Sequence, residues 1–143
     1  MRTTKAFTVI ELLVTFGIIA VLATVAAPTY SKYRIRAKVS SMFTAASAAE
    51  FAVQNDYFNQ NNSFAGITYS AGSQPFLIPQ TSTISSMAIS AGVITITGNS
   101  ADLGGRSLVL VFTPSISNGE INWSCAITAA YVTYAPPQCQ NTI

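Results

Sequence analysis

The side chains that could act as an acid, a base, a nucleophile or a metal ligand are few in this sequence and lie far apart. The chain has no histidine, so the commonest general base and the commonest metal ligand are both missing. The five carboxylates are dispersed along the chain, at Glu11, Glu50, Asp56, Asp102 and Glu120. We therefore expect no catalytic centre and no cofactor, and the sequence predicts that the protein is not an enzyme.

Asp102 lies in the turn-rich segment GNSADLGG, whose oxygen atoms could in principle bind calcium. One carboxylate is too few for a tight calcium site, and turns that contain Asn and Asp are common without any metal. We therefore expect no metal in this chain.

The two cysteines, Cys125 and Cys139, lie near the C-terminal end. An even pair in an exported chain suggests a disulfide, which would enclose about 15 residues and stabilise the fold by roughly 3 kcal/mol. Two free buried thiols are the alternative. The spacing and the small number of ligands exclude a CxxC redox centre and a zinc site.

The composition separates an apolar N-terminal part from a polar but nearly uncharged remainder. The chain has 143 residues, of which 8% are charged, and its formal net charge is +2; soluble globular proteins average about 25% charged residues. This length suits one domain with an appendage. The cations do not form a basic domain, which argues against a dedicated nucleic-acid binder.

The long apolar run near the N-terminus predicts a membrane-spanning helix. Residues 7–27 contain a single charge, Glu11, and about 20 apolar residues cross a bilayer core as a helix. The run is too long for an ordinary secretory signal, and the basic Arg2 and Lys5 before it predict a cytoplasmic N-terminus.

Glu11 is costly in such a span, by about 2.5–3.5 kcal/mol near the centre and less towards the interface, so a specific partner is expected. If the chain were cut just before Phe7, the new amine would lie four residues from Glu11. That amine on a neighbouring copy would be a suitable partner, and the pairing would fix the axial stagger between two subunits.

The stretch KAFTVIELLVTFGIIAVLATVAAPTY resembles the N-terminus of type IV pilins and type II secretion pseudopilins. The resemblance implies that residues 1–6 are a leader, that a prepilin peptidase cuts between Ala6 and Phe7, and that the Phe7 amine is then methylated. It also implies that Glu11 is the assembly glutamate and that Pro28 bends the helix. Ala6 departs from the family pattern, because glycine is usual there.

By this resemblance the chain is a structural subunit of a type IV pilus, a surface filament used in twitching motility, adhesion or DNA uptake. The implied partners are copies of itself, prepilin peptidase, the inner-membrane assembly machinery, minor pilins and, before assembly, the lipid bilayer. The implied location is the inner membrane, with the C-terminal part in the periplasm, and then the extracellular pilus. The alternatives are a minor pilin or secretion pseudopilin, and a membrane-tethered periplasmic enzyme or ligand-binding domain.

The residues named above are expected to be positioned by an α+β fold in which one long helix packs on a small antiparallel sheet of three to four strands. The helix would comprise a transmembrane half, residues 7–28, and an amphipathic half, residues 29–58, with a kink near Pro28. In the second half, one apolar stripe should face the sheet: Ile35, Val39, Met42, Ala46, Ala49 and Val53. The cations of this half, Lys32, Arg34, Arg36 and Lys38, form either a solvated collar or contacts with lipid phosphates and neighbouring subunits.

The predicted globular part spans residues 29–143, and after the helix its sequence predicts a loop followed by a sheet. A variable connection is expected over residues 59–86, and a sheet over residues 87–126 with a tight hairpin at Ala91 and Gly92. The loop 125–139 resembles the disulfide-bounded loop of the family. Tyr57, Tyr69, Tyr131 and Tyr134 are expected to cover the core, the alternative being an adhesive or DNA-binding aromatic surface.

Overall fold

A long helix precedes a small sheet in a computed structural model that describes residues 7–60, 62–77 and 81–143. The helix, α1, runs Val9–Asn59. The strands are β1 (Ile84–Ser90), β2 (Val93–Gly98), β3 (Val109–Ser117), β4 (Glu120–Ile127) and β5 (Asn141–Thr142). Short 3₁₀ helices lie at Pro75–Leu77, Ala129–Tyr134 and Pro137–Cys139.

The chain forms two compact units, with the boundary between Arg34 and Ile35. We call the described part of the first unit, residues 7–34, the anchor segment, and the second unit, residues 35–143, the head. The helical structure of α1 continues through Pro28, and the kink expected there stays a prediction.

The predicted apolar stripe of α1 is confirmed. The buried residues of the helix are the six that the spacing selected: Ile35, Val39, Met42, Ala46, Ala49 and Val53. They pack against the inner face of the sheet in one core cluster. Phe43 adds an aromatic contact at the rim of this core, with its ring centroid 5.4 Å from that of Phe112. The α+β fold therefore forms because the apolar face of α1 and the apolar face of the sheet bury each other.

The sheet has the order β1-β2-β3-β4-β5. The first four strands pair antiparallel, as predicted. β5 is an addition that the sequence did not predict, and it pairs parallel with β4, Ala126 opposite Asn141. A two-residue strand is too short to show an alternating pattern. β1 starts three residues before the predicted sheet, at Ile84, with a register shift between Ile84 and Ser86.

Both hairpin turns use backbone conformations with positive φ. Ala91 and Gly92 have φ of 48° and 78°, and Asn118 and Gly119 have φ of 55° and 82°. Two successive residues of this kind form the tight turn that matches the twist of antiparallel strands. The predicted hairpin between β1 and β2 is confirmed.

The four tyrosines that were expected to cover the core lie at its rim. Tyr57, Tyr69, Tyr131 and Tyr134 are partly buried and pack against the core cluster. The Tyr69 hydroxyl also donates a hydrogen bond of 2.7 Å to the Asp56 carboxylate. The expectation that these rings cover the core is therefore confirmed.

Candidate assembly site

The anchor segment exposes an apolar surface along its whole length. Every residue from Phe7 to Arg34 is exposed, including Phe7 itself at 84% and Val9 at 78%. Within the described part of the chain, α1 is long and apolar enough to cross a membrane. Because monomeric soluble proteins rarely expose a continuous apolar surface of this size, this segment must be covered by lipid or by other protein.

Glu11 has a local role that the sequence reasoning missed. Thr8 immediately precedes α1, and Glu11 is the third residue of the helix. The Thr8 backbone N–H and hydroxyl both lie 3.3 Å from Glu11 Oε2, and the Glu11 N–H donates to Thr8 Oγ1 at 3.4 Å. This reciprocal pattern is a capping box, which satisfies backbone donors at a helix start.

The signal for this cap was present in the sequence as Thr8-Val9-Ile10-Glu11, the T-x-x-E pattern of a capping box. The cap gives the Glu11 carboxylate neutral hydrogen-bond donors but no cation. Its charge is therefore uncompensated within the described part of the chain, and the expected need for a charged partner is unchanged. Ala6, on the other side of the predicted cut, lies outside the described residues, as does the rest of the leader 1–6.

Two of the four predicted collar cations are held within the head. The Arg36 guanidinium donates twice to the Thr133 carbonyl, through Nε at 3.0 Å and Nη2 at 2.9 Å. Lys38 Nζ lies 3.4 Å from Asp102 Oδ1 and donates to the Asp102 carbonyl at 2.6 Å. Both contacts link α1 to loops that follow the sheet strands, so these two cations help to position the head.

The Asp102 carboxylate, which belongs to this link, also has two hydroxyl partners in the head. Its Oδ2 accepts from the Ser82 hydroxyl at 2.7 Å and from Thr83 Oγ1 at 3.4 Å. The Ser82 hydrogen bond, followed by the charge of Lys38, lowers the pKa of the Asp102 carboxyl. In the described residues no group of three or more carboxylate, cysteine or histidine side chains could hold a metal.

Glu50 is the half-buried acid of the amphipathic half of α1. Burial raises the pKa of its carboxyl, because the charged form is less well solvated there. Among the acids of the head, Asp56 and Asp102 accept hydrogen bonds from side-chain hydroxyls, and within the described residues neither Glu50 nor Glu120 forms an ion pair.

The disulfide between Cys125 and Cys139 is confirmed. It joins β4 to the C-terminal loop, residues 125–139, and both half-cystines are buried. The loop is also held by Arg106, whose guanidinium carbon lies 5.2 Å from the centroid of the Tyr134 ring. The same loop provides the carbonyl that Arg36 binds.

Comparisons with known proteins agree with these features. The sequence model of the pilin family of bacterial filament proteins matches residues 35–140. Fimbrial protein EcpC of Eikenella corrodens is 31% identical, with 96% of this chain and 91% of that protein aligned. Type IV major pilin protein PilE1 of Neisseria gonorrhoeae is 33% identical over 85% of this chain and 68% of that protein. Prepilin peptidase-dependent protein D of Escherichia coli K12 is 30% identical over 84% of this chain and 80% of that protein.

An exposed apolar helix followed by an α+β head with a disulfide-bounded loop defines a subunit whose helix must be covered by lipid or by other chains. The chain belongs to the pilin family. The resemblance drawn from residues 5–30 is confirmed by an independent part of the sequence, because the family match covers residues 35–140.

Proposed function

We propose that this chain is the major structural subunit of a type IV pilus, anchored in the inner membrane as a precursor and then polymerised with copies of itself. The observation that carries the proposal is the anchor segment, which is exposed along its whole length and carries Glu11 near its start. The similarity to type IV major pilins of Neisseria gonorrhoeae favours the major subunit over a minor pilin or pseudopilin.

In the proposed pathway, prepilin peptidase cuts between Ala6 and Phe7, and the new Phe7 amine is methylated. In the membrane the anchor segment is covered by lipid, with the head in the periplasm. In the filament it is covered by the anchor segments of other copies. The inner-membrane assembly machinery and minor pilins would drive and start this transfer.

The register of the filament would come from Glu11. Its carboxylate pairs with the Phe7 amine of a neighbouring subunit, which supplies the cation that the capping box lacks. Such a contact joins two different surfaces, and because it also displaces each subunit along the axis it cannot close into a ring, so it generates a fibre. Twitching motility, adhesion or DNA uptake then depends on the filament and its machinery.

The capping box makes a sharp test possible, because charge and cap can be removed separately. Glu11→Gln removes the charge but keeps a side chain that capping boxes accept, whereas Thr8→Ala removes the Thr8 hydroxyl and leaves the charge. We expect Glu11→Gln to be stable and processed but to yield no ordered filaments by electron microscopy, and Thr8→Ala to assemble. Normal filament yield from Glu11→Gln would refute the proposed register mechanism.

The processing steps are tested by the intact mass of subunits from sheared filaments. We expect a mass that corresponds to a chain starting at Phe7, with one added methyl group and the Cys125–Cys139 bridge intact. An Ala6→Gly variant provides the control for the departure from the family pattern and should be cut at the same bond. A filament subunit that retains residues 1–6 would contradict the proposed processing.

A further inference from the structure

Two surfaces beside opposite ends of the amphipathic half of α1 have complementary charge. The first, which we call the proline groove, has a volume of about 400 Å³ and is lined by Arg36, Ser40, Tyr134, Pro136, Pro137 and Gln140. The second, which we call the hairpin tip, comprises the exposed residues 117–120 together with Phe58, and Glu120 and Phe58 line one shallow pocket there.

The proline groove is electropositive. Arg36 lines it, fixed by its two hydrogen bonds to the Thr133 carbonyl. Arg106 lies over the ring of Tyr134, another groove residue. Neither guanidinium is paired with a carboxylate in the described part of the chain, where the one ion pair is Lys38–Asp102. Two fixed guanidinium groups beside a groove favour an acidic occupant.

The hairpin tip carries Glu120, whose exposed carboxylate accepts no side-chain hydrogen bond within the described residues. Asp56 accepts from Tyr69, Asp102 is bound by Lys38 and Ser82, and Glu50 is half-buried, which leaves Glu120. Beside Glu120 lies Phe58, whose side chain is 64% exposed. The tip therefore presents a carboxylate and an aromatic ring together.

The positions of the two surfaces on α1 suit axial contact between copies. Arg36 and Ser40 line the groove, and Gln54 and Phe58 line the pocket at the tip. Each pair is separated from the other by eighteen residues, which make five helical turns and rise about 27 Å. The groove therefore lies at the level of the start of this half of α1 and the tip at the level of its end, so a neighbouring copy offset along the helix axis can bring its groove to the level of the tip.

We propose that the hairpin tip of one subunit docks into the proline groove of the next along the filament, with Glu120 paired to Arg36 and Phe58 packed on Pro136 and Pro137. The proposal rests on the proposed filament and adds a contact between heads to the register set by the anchor segments. The contact is heterologous, so each subunit uses its groove once and its tip once. It fixes an axial offset of about 27 Å between the contacting copies.

The test is a disulfide between subunits in assembled filaments. Ser40 lines the groove, and Ser117 lies opposite Glu120 at the hairpin tip; both serines are exposed. The two surfaces lie about 27 Å apart along α1, so a bond between Ser40→Cys and Ser117→Cys in one variant joins two copies and leaves Arg36 and Glu120 in place. Oxidised, sheared filaments of this double variant should give a ladder of covalent multimers on a non-reducing gel. The matched control is Ser40→Cys with Ser90→Cys, since Ser90 is exposed at the end of another hairpin. It should give no ladder.

The outcomes separate this contact from the filament role. If the unmodified chain forms no filaments, the proposed function fails. If filaments form and the Ser40/Ser117 variant gives no ladder, or the Ser90 control gives an equal one, the docking contact is refuted. Peptide mapping of each single variant verifies that Cys125 remains joined to Cys139.

Should the cysteine variants fail to assemble, Arg36→Lys filaments treated with a carbodiimide test the same contact. The reagent joins a lysine amine to a carboxylate that touches it, and peptide mass analysis should find position 36 linked to Glu120. Glu120→Gln in the same background should abolish the linked peptide. Filaments of Arg36→Lys without this link would overturn the proposal.

Discussion

Replacing both Cys125 and Cys139 by alanine is expected to lower the free energy of unfolding of the head by about 3 kcal/mol. The bridge joins residues 14 positions apart, and closing a loop of about 15 residues removes that much chain entropy from the unfolded state. Alanine is preferred to serine because both sites are buried, and a buried hydroxyl without a partner would add a separate penalty.

The assay can use Trp123, the one tryptophan of the chain, which lies on β4 two residues before Cys125. Its fluorescence in full-length protein held in detergent micelles follows unfolding of the sheet in urea or on heating. With an unfolding entropy of about 2.1 cal/mol/K per residue, a head of roughly 110 residues should melt about 13 °C lower without the bridge.

Arg36→Met is the matched control, since it removes the link between the C-terminal loop and α1 and leaves the bridge to β4 intact. Those hydrogen bonds are exposed, so their loss should cost less than about 1.5 kcal/mol. A loss below about 1 kcal/mol in the Cys125→Ala/Cys139→Ala variant, with a larger loss in Arg36→Met, would refute the entropic argument. The loop would then be held mainly by its polar contacts.

Three further substitutions test the packing and electrostatics of the head. Gly98→Ala should destabilise it by about 1–3 kcal/mol in thermal unfolding, because the added Cβ would overlap the Leu103 side chain; an unchanged melting temperature would contradict this close packing. The pKa of Asp102 is lowered chiefly by the Ser82 hydrogen bond, so its stabilisation is present above the ordinary aspartate pKa and is lost as pH falls through the lowered value. The stability of Asp102→Asn and of the unchanged chain should therefore differ at neutral pH and converge as pH falls through the lowered pKa of Asp102; a gap that stays constant over an acid titration would show the attribution to be wrong. Burial raises the pKa of Glu50, so its charge opposes folding once pH rises through the raised value; Glu50→Gln should unfold at higher urea than the unchanged chain at neutral pH, and a lower midpoint would point to an ionic role for Glu50.

The parts of the fold that depend on local spacing were readable from the sequence. The stripe on α1 was predicted residue by residue, because a helix repeats every 3.6 residues and one face must be apolar to meet a sheet. The hairpin at Ala91 and Gly92 was readable because few residues tolerate positive φ. The capping box at Thr8 and Glu11 could also have been predicted from the T-x-x-E pattern. It was missed because the charge of Glu11 in an apolar span was explained by a partner subunit alone.

The links that position the head could not be read in the same way. Lys38 contacts Asp102, which is 64 positions later in the sequence, and Arg36 contacts the Thr133 carbonyl, which is 97 positions later. Nothing in the local pattern selects these partners among the loops. They follow from where the antiparallel strands end relative to α1, which is fixed only when the whole sheet has formed. For the same reason the sequence left all four collar cations undecided.

The short β5 strand and the bridge between Tyr69 and Ile89 lie at the two outer edges of the antiparallel part of the sheet, where they affect the tendency of the protein to aggregate. An uncovered strand edge invites pairing with another chain, which leads to amyloid-like aggregation. Here β5 covers part of the free side of β4, and the segment around Tyr69 covers part of the free side of β1. A protein that must accumulate at very high local concentration can then polymerise without cross-β side reactions.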